Sequence, residues 1–499
     1  MHNIIYILRC INIIYILGRN GILLELSKSN FLSSKIILWL KIINFFVGKK
    51  IKNFEFGPSL VDVLNQLGPA FVKLGQGLAT RPDLIGASLS NELSQLQDRM
   101  KPFEFEDIKK TILHETGNLP EKLFLEFEAE PVAAASIAQV HKGVNFKGKS
   151  IAIKILRPGI EKAIYKDLQF FYWIAQTLSS FDKSLNKFRL VKAVEVFKKV
   201  TEDEMDLRLE AAAANELSEN FKDDERFSVP NIDWSLTSRR MLVLDWVEGL
   251  KITDREKLIS EGHDIKTLTS SAAEAFFLQI FRDGFFHADM HPGNLFVTKE
   301  GKLMPVDFGI MGRLNISDRI FLGKLLKSIL DRNFKDVAQL HLDKGMIPSS
   351  TSINGFAQAI RSVSTPILDK KLGQISLGNL LGQLFGMANR WQITIQPQFL
   401  ILQKTMVMAE GVGRQMNPET DMWKMARPMV ENWLNSQSFK NEMIKEYINN
   451  FKLITNQLPV ILEKINSNDF KKAPVKKRVL PLYLFIILIL LGIFVYYNV

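Results

Sequence analysis

The 499-residue chain predicts an α/β (α+β) fold of two lobes, with a helical extension in front and a transmembrane helix at the end. Three strings, in this order, predict it. Lys154 stands in Ile-Ala-Ile-Lys; His287-Ala288-Asp289 is followed five residues past Asp289 by Asn294; Asp307-Phe308-Gly309 comes thirteen residues after Asn294. Each answers one need of ATP chemistry: a cation for the α/β-phosphates, a carboxylate near the acceptor, and two oxygen ligands for Mg²⁺. A lone Asp-Phe-Gly is a weak signal; the ordered set is a strong one.

Composition narrows the partners. The net charge is +11 and the pI about 9.3. Nucleic acid is the usual first reading of so basic a chain, but no zinc spacing, RNA-binding motif or Arg-rich tract is present, so that class is excluded. The lysines instead flank apolar segments, which points to an anionic membrane surface. Cys10 is the single cysteine, so no disulfide scaffold exists.

The elements follow in order. Residues 1–56 hold two interrupted apolar runs, Ile4 to Leu17 with Arg9 and Asn12 inside, and Ile36 to Val47 with Trp39 and Lys41. Both are too short or too charged to span a bilayer and read as membrane-interfacial amphipathic helices. Residues 57–130 form a helical extension. Leu60, Leu64, Leu67, Phe71, Leu74 and Leu78 make one helical stripe, with Pro69 suited to a first turn, and the helical pattern continues from Arg81 to about His114. Residues 131–250 form a small lobe. In it Ile137 to Val144 and Ser150 to Leu156 read as a hairpin closed by Phe146-Lys147-Gly148, Leu190 to Phe221 as one long helix, and Met241 to Trp246 as a buried strand. Residues 251–470 form a helical large lobe. The uncharged stretch 479–497 has the length of a transmembrane helix, and Lys471, Lys472, Lys476, Lys477 and Arg478 before it place the body on the cytoplasmic face. Pro481 and Gly492 leave a straight span or a re-entrant hairpin open.

The chemistry attaches to named side chains. Ile151, Ile153 and Ile155 share one strand face, so Lys154 points to the other, where it needs a carboxylate partner. Glu210 is the candidate. Asp289 is the catalytic carboxylate that accepts or orients the acceptor's proton. Asn294 and Asp307 are the metal ligands, an oxygen set suited to Mg²⁺. Ala288 stands where protein kinases commonly carry an arginine, and no Ala-Pro-Glu string follows Asp307, which argues against a peptide docking platform. Where such kinases carry glycines, this chain has Pro131, Val132, Ala133, Ala134, Ala135, Ser136, Ile137, Ala138 and Gln139, a nucleotide-binding loop that is stiffer for lacking glycine.

Together these residues resemble the UbiB family of atypical, protein-kinase-like proteins. The resemblance covers about Leu60 to Met429. Its most specific marks are Lys73-Leu74-Gly75-Gln76, then Thr80-Arg81-Pro82-Asp83, the alanine-rich loop, Glu204-Met205-Asp206, and His287 to Asn294. It implies a two-lobe kinase-like fold with Lys73 and Gln76 on a helix covering the site. It also implies a gating bridge from Lys73 to Glu204, while Glu210 serves Lys154; on one helix those glutamates point about 120° apart. Its implied function is a Mg-ATP-dependent atypical kinase or ATPase supporting ubiquinone biosynthesis. That places it at the cell inner membrane, among membrane lipids, quinone precursors and the biosynthetic enzymes, and leaves homodimerisation open. The alternatives are a protein kinase with its own substrate, or a catalytically idle scaffold that binds nucleotide.

Overall fold

The computed structural model describes residues 2–448 except 29–33, 49–53, 80–84, 94–95, 97–101, 183–188, 369–375, 420–421, 438 and 447. The expected transmembrane segment 479–497 lies outside the described residues. Among them, no helix is long and apolar enough to cross a membrane. Residues 1–434 form one compact unit; residues 435–499 form a second, mostly helical where described.

The chain opens with α1 (His2–Arg19), α2 (Ile22–Leu26) and α3 (Ser34–Val47). Tyr6 and Arg9 dock α1: Tyr6 packs 5.6 Å from the Trp173 ring, while Arg9 pairs with Asp167 and lies over Phe170. By contrast α3 buries none of its residues, and Phe45 and Phe46 are more than three-quarters exposed. The extension is α4 (Phe56–Leu67), α5 (Pro69–Ala79), α6 (Ala87–Leu93), α7 (Phe105–Thr116) and α8 (Pro120–Leu123). Gly68, at φ 107°, makes the α4–α5 corner, and Pro69 starts α5, where its missing N–H costs nothing. The helical pattern expected through His114 is broken before α7, where Pro102 removes a donor and Glu104 is extended.

The small lobe is a five-stranded antiparallel sheet of β1 (Glu126–Phe127), β2 (Ala133–Ala134), β3 (Ala138–Val144), β4 (Ser150–Leu156) and β5 (Met241–Asp245). It runs β1-β3-β4-β5, with β2 also on β3, and so begins before residue 131. The β3–β4 hairpin turns where expected, because Asn145 Oδ1 accepts from the N–H groups of Lys147 and Lys149, both at 3.0 Å, and Gly148 takes φ 76°. Ile151, Ile153 and Ile155 are buried with Ile108, Ile112 and Phe124 on the outer face. Lys154 and Ala152 occupy the other face.

After β4 come α9 (Ile160–Phe181), α10 (Leu190–Glu204) and α11 (Leu207–Asn220). The single helix expected from Leu190 to Phe221 is two. The chain leaves helical geometry at Met205 and Asp206, and Asp206 caps α11 by accepting from the Arg208 N–H at 3.2 Å. The large lobe holds β6 (Gly249–Lys251), α12 (Arg255–Ser260), α13 (Ile265–Phe277), a π-turn at Leu278–Asp283 and β7 (Phe285–His287). Then come β8 (Leu295–Thr298), β9 (Leu303–Pro305) and β10 (Met311–Arg313). Helices α14 (Ile316–Leu330), α15 (Phe334–Asp343), α16 (Ile353–Leu368), α17 (Leu377–Gly386), α18 (Ala388–Trp391), α19 (Pro397–Met416) and α20 (Met422–Asn435) complete it. Two small sheets, β6-β8-β9 and β7-β10, carry the motif loops.

Candidate active site

Lys154 is the meeting point. Its Nζ donates to Glu210 Oε1 at 2.8 Å and to Asp307 Oδ1 at 3.1 Å. The register Val140↔Lys154↔Leu242 fixes its strand position, and the Asp206 cap starts the helix that presents Glu210 one turn in. Burial pulls the Lys154 ammonium down, but Asp307 and Glu210 outweigh it and hold it above the usual lysine range. The Asp307 carboxyl is held well below the usual range, first by Lys154, against the opposing effect of burial, and Lys73 adds to the depression. Burial pushes the Glu210 carboxyl up, partly opposed by Lys154. Asp307 stays about half exposed to the cleft.

Asp307 takes φ 63°, a conformation that Asp adopts more readily than most residues but that still needs support. The support is Phe308, which is buried 5.8 Å from the His287 ring.

The catalytic loop is held from several sides. Asp289 N–H donates to His287 Nδ1 at 3.2 Å, while His287 Nε2 lies 3.3 Å from the Val306 carbonyl. A carbonyl only accepts, so Nε2 carries the proton; burial keeps the ring neutral and its pKa low. His287 is thus a prop for the loop. The π-turn supplies Gln279, whose Oε1 accepts from His287 N–H at 2.9 Å. Asn294 Nδ2 donates to the Asp289 carbonyl at 3.2 Å, which leaves its Oδ1 as the amide's acceptor atom. His291 Nδ1 is spent on the Gly293 N–H at 2.9 Å.

The donor set fits Mg²⁺. Among the described residues no three His, Cys, Asp or Glu side chains gather around a metal position. Mg²⁺ sites commonly use one or two carboxylates plus substrate phosphates and water, and Asp307 with Asn294 Oδ1 is such a set.

The expected ion pair between α5 and α10 forms. Lys73 Nζ lies 3.2 Å from Glu204 Oε2, both mostly buried. Glu204 ends α10 and Glu210 lies in α11, so the break at Asp206 sends the two carboxylates to different lysines. The 120° separation expected on one helix does not arise. Gln76 Nε2 donates to the Leu96 carbonyl at 3.2 Å, tying α5 to the following segment. Phe71 of α5 packs edge-on 4.9 Å from Phe171 of α9.

The alanine-rich segment is a tight strand-turn-strand. Val132 N–H donates to the Val140 carbonyl and Ala135 N–H to the Ala138 carbonyl, both at 2.8 Å. Pro131 to Ala134 line its partly exposed outer arm, while Ser136, Ile137 and Ala138 are buried. Gln139 is a correction. It pairs with Ile155 in the register, on the face opposite Lys154, and its amide is spent on Phe103 and His141. Strand parity decides this, and it puts Gln139 on the sheet face away from Lys154 and Asp307.

Two contributors carried no signal in the sequence. Thr405 of α19 shares its one hydroxyl proton between the Ile401 carbonyl of its own helix at 2.9 Å and the Ala288 carbonyl at 3.1 Å, bracing the catalytic loop from the large lobe. Arg313 Nη1 donates to Glu216 Oε1 at 2.7 Å, linking β10 to α11. Each is a long-range pair of common residue types, with no spacing that marks it.

Known proteins resemble this chain in sequence. The ABC1 atypical kinase-like domain matches residues 95–341, and the UbiB helical domain matches residues 360–421. A probable protein kinase UbiB of Marinobacter nauticus is 39% identical over 412 residues, 82% of this chain and 74% of that one. A probable protein kinase UbiB of Pseudomonas aeruginosa is 39% identical over 429 residues, 84% of this chain and 80% of that one. A solved Mycobacterium tuberculosis structure, the Rv3197–erythromycin complex, superposes with a TM-score of 0.48 at 22% identity, covering 75% of this chain and 95% of that one. With a kinase-like domain, a family-specific helical domain and relatives at this identity along most of its length, the chain belongs to the UbiB family of atypical kinase-like proteins.

Proposed function

We propose that this protein is a membrane-anchored Mg-ATP-dependent kinase or ATPase that supports ubiquinone biosynthesis, acting on lipid precursors or on the enzymes that process them. The observation that carries the reading is Lys154 held by both Glu210 and Asp307, in the same site as the braced Asp289 loop. A pure scaffold has no chemical need for that convergence. Lys154 meets the α/β-phosphates, Asp307 and Asn294 Oδ1 hold Mg²⁺, and Asp289 accepts or orients the acceptor's proton. The bound metal supplies charge neutralisation at the phosphates. Lys73 and Glu204 pin α5 over the site and restrict what enters.

The anchor is the segment 479–497, with the body on the cytoplasmic face of the cell inner membrane. Deleting residues 479–499 is expected to move the protein toward the soluble fraction. Complete retention would transfer anchoring to α1 and α3.

The deciding experiment is phosphate release from Mg-ATP by the full chain, with and without anionic vesicles carrying a quinone-precursor-like phenol. Vesicle-stimulated release that Asp307→Asn loses is the expected result. Nucleotide binding without release under every condition would favour the scaffold. Transfer to a protein acceptor would favour the protein kinase.

A further inference from the structure

We propose that Gln139 and His141 are a positioning pair that clamps the base of the alanine-rich loop from the far side of the sheet, with His141 neutral and protonated on Nδ1. The proposal rests on the nucleotide reading above. Both side chains are buried, on the face opposite Lys154. His141 Nδ1 lies 2.8 Å from the Glu128 carbonyl, which can only accept, so Nδ1 carries the proton. Nε2 must then accept, and Gln139 Nε2 donates to it at 2.9 Å. That orients the rest of the amide: Oε1 accepts from Phe103 N–H at 3.1 Å, and Nε2 gives its second proton to Phe103 O at 3.4 Å. Every polar atom of the pair is satisfied in this one arrangement.

The anchor points explain what the pair does. Glu128 is where the chain leaves β1 toward the loop, and Gln139 lies just past the loop's return. The excursion is therefore pinned at both ends, and Phe103 adds a third point from the segment before α7. Arg157 strengthens that corner: its backbone N–H donates to the Ile137 carbonyl at 2.7 Å and its guanidinium lies 5.0 Å over the Phe103 ring. The loop has no glycine and no charged side chain of its own from Pro131 to Ala138. Its position relative to bound phosphates is set from beneath. A buried donor-acceptor relay of this kind is costly to break, because each abandoned partner stays out of water.

The test uses the full chain with Gln139→Met, which keeps the volume and removes the amide, and Gln139→Glu, which keeps the Oε1 acceptor and puts a second acceptor where both donors were. Affinity for a fluorescent ATP analogue with Mg²⁺ is expected to weaken about tenfold in each, the order of one or two lost hydrogen bonds. Turnover at saturating ATP is expected to stay near wild type, so the loss falls on KM. Hydrogen exchange is expected to quicken in peptides covering residues 131–138 while β5 keeps its protection. Unchanged nucleotide affinity, or exchange that rises equally across the sheet, would overturn the clamp. If the wild type binds no nucleotide, the reading it rests on fails; exchange confined to 131–138 would then still support the clamp, and uniform exchange would overturn it. Should Gln139→Met not fold, Gln139→Glu carries the same comparison.

Discussion

One lysine organises the catalytic cleft. Lys154 is mostly buried, and both its partners are carboxylates, so removing it leaves Glu210 and Asp307 facing each other with no cation between them. Breaking a buried pair from one side costs on the order of 3–5 kcal/mol, far more than a surface bridge. Asp307 is half exposed, so most of that cost falls on Glu210. Lys154→Met is therefore expected to lower the melting temperature by several degrees as well as reduce turnover by ~100-fold or more. Adding Glu210→Gln should recover part of the stability and none of the turnover. A Lys154→Met protein that melts at the wild-type temperature would show that Glu210 is not a buried charge. The three motif strings were legible because their residue types are scarce in apolar surroundings. Gln139 was misread because the string shows membership of the loop and not strand parity.

At the scale of elements, the division between Glu204 and Glu210 depends on a joint two residues long. Asp206 caps α11 and pairs with Arg208, whose guanidinium donates to Asp206 Oδ1 at 2.8 Å. Asp206→Ala is expected to cost about 1 kcal/mol, the usual loss of an N-cap. It should also weaken nucleotide binding, because α11 then no longer starts where Glu210 needs it. Thermal melts and nucleotide titration read the two effects separately; loss of stability with unchanged affinity would make the joint a cap and nothing more. Thr405→Val tests the brace on the catalytic loop. Turnover is expected to fall about tenfold with nucleotide affinity unchanged, since the bond is to Ala288 and not to the nucleotide loop. An unchanged turnover would remove Thr405 from the mechanism. The hairpin of β3 and β4 was legible from apolar alternation and its turn. The break at Met205 was not, because Thr-Glu-Asp-Glu-Met-Asp contains neither Gly nor Pro and its cap looks like any other helix aspartate. Thr405 was invisible for a different reason: its partner lies more than a hundred residues away.

For the whole molecule, acid is the expected weakness. His141, His287 and His341 are buried, and burial holds all three below the ordinary value of 6.5. The unfolded chain takes up protons near that value while the folded chain does not. Stability is therefore lost progressively as pH falls below about 6.5. The depressed Asp307 keeps its contribution until far lower pH. Glu210, raised by burial, works in the opposite direction, so Glu210→Gln is the control background. Melting temperature is expected to fall by several degrees from pH 7.5 to 5.5, and His341→Gln, remote from the nucleotide loop, should flatten part of that slope. A melting temperature independent of pH across that range would refute the assignment of neutral buried rings.

The path from Asp307 to α14 is very short. Phe308 to Asn315 is eight residues, and Met311 to Arg313 are already paired with β7. None of the eight carries a hydroxyl, and the first that follows, Ser317, accepts from Lys344 Nζ at 2.9 Å. In many kinases this stretch is where another enzyme writes an instruction, by esterifying a side chain that an arginine beside the catalytic aspartate then reads. Residues 308–315 offer no side chain to write on, and with Ala288 in the arginine's position there is no guanidinium beside Asp289 to read one. The first hydroxyl on which that chemistry could act is therefore in α14, outside the path itself.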